Sequence, residues 1–119
     1  MRFLIVAGVL CTASAASAQP YSESMADCAS VYQNAAQWVR TDESADKLMQ
    51  AAIQWAEAAV RQSEIEGKPT SIDAVWDRID VKTDAWEQKG SGVFFSEDFR
   101  DWTQYCRKFA KHTKVRINP

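Results

Sequence analysis

This 119-residue chain holds one histidine, four glycines and three prolines, and each scarcity closes a route to function. A transition-metal centre draws on several imidazole or thiolate ligands, and His112 stands alone. Di-iron bundles need repeated Glu-x-x-His pairs, and covalent haem needs Cys-x-x-Cys-His; neither occurs. The glycines are too sparse for a phosphate-binding loop, so Lys89-Gly90-Ser91-Gly92 reads as a turn. Met25 and Met49 fall at core spacing, where methionine fills space. No metal and no cofactor is expected. His112 is also the sole imidazole available as a general base, and it lies off the apolar stripe in a basic, solvated stretch. Carboxylates are plentiful, but exposed flanks lack the desolvation that raises a catalytic pKa. The expectation is a protein that is not an enzyme.

Sustained strand-type alternation is also missing, as is any apolar run of the ~20 residues that cross a bilayer. The longest run, Phe3 to about Ala13, follows Arg2 and precedes Ala16-Ser17-Ala18. That is the layout of a signal peptide, residues 1–18, cut after Ala18. Cys11 lies inside this run without the flanking pattern of a lipidated cysteine. Residues 19–119 then form a single helical domain of ordinary size. With Arg2 removed, 13 basic residues face 16 acidic ones. This mild negative charge fits neither nucleic-acid binding nor stable membrane insertion. The short Ala-rich leader points to the bacterial periplasm, or otherwise to secretion.

Without the leader, two of the three cysteines remain, Cys28 and Cys106. An even pair in an exported chain reads as one disulfide. Closing so long a loop stabilises by ~4–4.5 kcal/mol in the chain-entropy view.

What the chain does have is helical periodicity, with apolar residues recurring at three and four over about 22–39, 44–66, 70–88 and 96–112. The first segment, capped by Ser22, carries Met25, Cys28, Tyr32, Ala35 and Val39. The second carries Met49, Ala52, Ile53, Ala56, Ala59 and Val60, has Trp55 on its margin, and stops at Gly67 and Pro69. Thr70 and Asp73 resemble a capping box opening the third, which buries Ile72, Val75, Trp76, Ile79, Thr83 and Trp86. The fourth starts at Ser96 with the stripe Phe95, Phe99, Trp102, Cys106 and Phe109. Short connections predict an all-α, antiparallel up-down-up-down four-helix bundle. In such a bundle the start of the first helix lies beside the end of the fourth, where Cys28 meets Cys106.

The third segment lines up Asp73, Asp77, Asp80, Asp84 and Glu87, although like charges at this spacing repel. Arg100, Arg107, Lys111 and Lys114 occupy the same rotational flank of the fourth. Same-sense flanks meet in antiparallel pairs. Asp73 with Lys114, Asp77 with Lys111, Asp80 with Arg107 and Glu87 with Arg100 are each centred on residue 93 or 94, in the connecting loop. The expectation is an internal charge ladder with Asp84 left over.

Five tryptophans are the most unusual compositional feature. Trp76, Trp86 and Trp102 are assigned to the core. Trp38 and Trp55, at the edges of their apolar faces, are interface candidates, with Lys108 and Arg116 as bases not used by the ladder. The leading expectation is an exported protein that acts by binding another protein of the cell envelope. The alternative is a carrier holding an apolar molecule between Trp-bearing helices. A shallow surface around Trp38 or Trp55 favours the first, and a closed cavity among Trp76, Trp86 and Trp102 the second.

Overall fold

A computed structural model describes residues 19–117; the leader read from residues 1–18 lies outside the described residues. The chain is all-helical: α1 (Tyr21–Trp38), α2 (Asp42–Ile65), α3 (Ile72–Glu87) and α4 (Glu97–Thr113), with a 3-10 turn at Ser91–Phe95 between the last two. Contacts between ends set the directions. Ser22 at the start of α1 meets Glu66 at the end of α2, and Tyr21 meets Phe109 near the end of α4. Along α3 the order is parallel to α1: Glu23 pairs with Arg78, and Gln33 bonds Thr83. The helices therefore run up, down, up, down.

Helix α1 is the hub. It packs against each of the other three helices, and every residue from Ser24 to Tyr32 is buried. Small side chains permit this: Ala26, Ala29 and Ala35 on α1 face a partner whose buried surface is largely Ala51, Ala52, Ala56, Ala58 and Ala59, so the axes approach closely. The buried face of α2 is turned toward Trp55, which is 0 % exposed, and away from Met49, Ile53 and Val60, which are partly buried. Trp55 is therefore core, not an interface residue. Its indole stacks on Phe109 of α4 at 5.6 Å.

Local chemistry sets the ends of the helices. Thr41, Ser71 and Ser96 accept the N–H groups of Ser44, Ala74 and Phe99, each at 3.1 Å, satisfying first-turn donors. Ser71, not Thr70, caps α3; the Thr70 N–H instead donates to Ser63 Oγ. Pro20, not Ser22, stands at the N-cap of α1, and Ser22 sits inside its first turn. Gly67, at φ 81°, ends α2 in the left-handed conformation that glycine adopts freely, and the Lys68 N–H closes onto the Ser63 carbonyl. After Gly90 the chain makes the 3-10 turn, which leaves Phe95 82 % exposed. Phe94, not Phe95, packs on Phe99.

The disulfide between Cys28 and Cys106 is formed, with Cα atoms 5.7 Å apart and both residues fully buried. It fastens α4 onto α1. Ile79 and Thr83 of α3 also turn to the interior, where Gln33 of α1 reaches Thr83, so α3 and α4 are joined mainly through the hub.

The charge ladder does not form. The ion pairs among the described residues are Arg78–Glu23, Arg78–Asp27, Lys82–Asp27 and Lys89–Asp98, and none joins Asp73, Asp77, Asp80 or Glu87 to Arg100, Arg107, Lys111 or Lys114. Flanks of the same sense meet on both sides of an antiparallel seam, and the bundle uses the other pair. Arg78 and Lys82 reach carboxylates of α1 and Lys89 reaches Asp98 of α4 from a partly or fully exposed flank, while the acid stripe makes no such pair among the described residues.

Candidate functional site

Where α1, α3 and α4 meet, a cleft of about 160 Å³ is lined by Asp27, Ser30, Lys82, Ala85, Trp86, Lys89, Asp98 and Trp102. Each wall has a local cause. Ser24, Asp27, Ser30 and Asn34 recur at three and four along α1, so they form one stripe, and all four are buried. Helix α3 contributes Lys82, Ala85 and Trp86, the turn after it contributes Lys89, and α4 contributes Asp98 and Trp102 from its first turns.

The floor is polar. Asp27, 4 % exposed, lies 3.3 Å from Arg78 and 4.0 Å from Lys82, and its other oxygen accepts from Gln19 Nε2 at 3.1 Å. A carboxylate buried at this depth persists when cations offset its desolvation. At the rim Lys89 lies 3.8 Å from Asp98 and 5.3 Å above the Trp86 ring, a cation–π distance. Each lysine of the cleft is thus matched by a carboxylate, and the cleft combines aromatic walls with compensated charge.

Trp102 is shared by two surfaces. It walls the cleft, and with Asp98, Asp101 and Tyr105 it also lines an adjoining depression of about 320 Å³. Its ring packs edge-on against Tyr105 at 5.5 Å, Tyr105 stacks on Phe109 at 5.4 Å, and Phe109 stacks on Trp55. An aromatic column therefore runs from the buried core to an exposed edge. The sequence placed Trp102 in the core, and it is partly buried against that core while also lining both hollows; the signal for the second feature was Tyr105 three positions on and Asp98 and Asp101 nearby.

The other candidates lie elsewhere. Trp38 is 37 % exposed, and its indole N–H donates to Asn34 Oδ1 at 3.2 Å. Lys108 and Arg116 are exposed. Arg116 lines a broad depression of about 750 Å³ with Arg107, Lys111, Lys114, Ala110, Val115 and Ile117. His112 is exposed, and its Nε2 lies 3.2 Å from the Tyr21 hydroxyl. Among the described residues, no group of three His, Cys, Asp or Glu is placed to hold a metal ion, and no helix is long and apolar enough to cross a membrane.

Two titrating groups are displaced from their usual ranges. Burial pushes the Tyr32 phenol up, partly offset by the Arg107 guanidinium beside it. For Glu66, the upward push of burial is outweighed by hydrogen bonds from the Ser22 hydroxyl and N–H and from Gln62, with the charge of Lys68 adding to them. Its carboxyl therefore titrates low.

In comparisons with known proteins, no family model matches the chain, and no curated protein or solved structure matches it significantly.

Proposed function

We propose that this protein is a non-enzymatic interaction module of the bacterial periplasm, receiving a bulky side chain of another envelope protein in the Trp86–Trp102 cleft. The observation that carries this reading is the cleft's size beside its chemistry. Small-molecule sites occupy ~300–1,000 Å³, whereas about 160 Å³ between two indoles accommodates one large side chain. Interface anchors of this kind are aromatic, seated in a pocket and ringed by polar groups. Here Lys82, Lys89 and Asp98 stand at the cleft, and the depression beyond Trp102 extends the contact. The cleft lies at Trp86 and Trp102, where the carrier alternative places its ligand, but it is a groove open to solvent and not a closed cavity. The broader depression near Arg116 is lined by four cations and no aromatic wall. A periplasmic or secreted location accords with a buried cystine, which persists in oxidising compartments, and with the leader in the sequence.

The test is native mass spectrometry of wild type and Trp102→Ala, both purified gently from the native host. A second polypeptide on the wild type that is absent from Trp102→Ala, with unchanged helical circular dichroism, supports the reading. A small-molecule adduct in its place overturns it in favour of a carrier.

A further inference from the structure

The two charge stripes that face away from each other within one chain are complementary between chains. Asp73, Asp77, Asp80 and Asp84 on α3 are exposed, and Glu87 is partly so; among the described residues none takes part in an ion pair. Asp80 accepts a hydrogen bond from the Gln33 side-chain amide of α1 at 3.1 Å. On the other side, Arg107, Lys111, Lys114 and Arg116 rim the depression of about 750 Å³ between the end of α4 and the C-terminal segment, with Ala110, Val115 and Ile117 among them. These cations also form no ion pair among the described residues.

We propose that this basic groove docks the acid stripe of a second copy of the chain, α3 of one molecule lying antiparallel to α4 of the other. Charge and register both point to this occupant. The acids Asp73, Asp77, Asp80 and Glu87 are spaced by four, three and seven residues, and Lys114, at the C-cap of α4, with Lys111, Arg107 and Arg100 step back by three, four and seven, so both stripes span fourteen residues and stay within one residue of register. Asp73 therefore meets Lys114 when Glu87 meets Arg100. The same register brings Ile72, 41 % exposed, toward Val115, giving the contact an apolar end. Such an interface is predominantly electrostatic, so it is weak, reversible and screened by salt. It is independent of the Trp86–Trp102 cleft, which uses the opposite flank of α3.

Sedimentation velocity of the purified protein over a wide concentration range, at low salt and again at roughly 0.5 M salt, reads the association directly. The weight-average sedimentation coefficient is expected to rise with concentration at low salt and to stay at the monomer value at high salt. Asp77→Lys and Lys111→Glu, each checked for folding by circular dichroism, are expected to weaken self-association roughly tenfold or more through like-charge contacts. An equimolar mixture of the two variants is expected to regain association, because the two reversed charges meet across the interface. A wild type that remains monomeric at all concentrations in low salt overturns the proposal. So does a mixture that associates no better than either variant alone.

Discussion

Glu66 belongs to the end of α2 but serves the start of α1. Its two oxygens accept the Ser22 hydroxyl at 2.6 Å and the Ser22 N–H at 3.0 Å, supplying negative charge where a helix N-terminus favours it. Glu66→Ala is expected to cost ~1–3 kcal/mol, as for hydrogen bonds to a charged group, read from the shift in denaturant midpoint. Its pH dependence has a definite sign. The folded-state pKa lies below the unfolded one, so the stabilisation is fully present above the ordinary glutamate range. It is lost as the pH falls through the lowered folded value. The gap between wild type and Glu66→Ala should therefore be widest at neutral pH and narrow in acid. Tryptophans separate in the same way: Trp55→Ala should cost ~3–5 kcal/mol, as for a large buried ring, and Trp102→Ala clearly less. The sequence could not order these two. Met49, Ile53 and Val60 outweigh alanine in any hydrophobic pattern, yet the alanines beside Trp55 let α1 approach and bury it.

Helix α3 shows what periodicity conveys and what it omits. Its span, its buried Val75, Ile79, Thr83 and Trp86, and its direction were legible from spacing at three and four. Which flank faces inward was not, because both flanks of an antiparallel seam obey the same pairing rule. Only the hand of the bundle chooses between them. Packing against α1 brought Arg78 and Lys82 to Asp27 and Lys89 to Asp98, and so created the cleft. Two outcomes follow for the isolated monomer. Asp77→Lys and Lys111→Glu should each change stability by no more than ~0.5 kcal/mol, as surface substitutions do, and the double variant should be additive, with no rescue. Asp27→Ala should cost ~1–3 kcal/mol, less than the ~3–5 for a fully buried pair, because Arg78 and Lys82 still reach water. A double-mutant cycle by chemical denaturation checks both.

At the scale of the molecule, the bundle is held by a small-residue hub, an aromatic column and one cystine. The cystine was legible because reading residues 1–18 as a leader leaves two cysteines and therefore one pairing. The 3-10 turn was not, because Phe95 continues the apolar spacing of α4 while Gly90 and the Ser96 cap interrupt the helix. Reducing Cys28–Cys106 should destabilise the protein by ~2–5 kcal/mol, as loss of a native disulfide from a small domain does, with α4 the first element to lose protection from hydrogen exchange. The proposed interaction role rests on the edge that α4 presents beside the cleft. A photo-crosslinking residue placed at Tyr105, next to Trp102, and a control at the exposed Glu57 of α2 test it most directly in living cells. One discrete heavier product is expected from Tyr105, abolished by Trp102→Ala and absent from Glu57. Equal labelling at both positions, or a Tyr105 product indifferent to Trp102→Ala, would contradict that role.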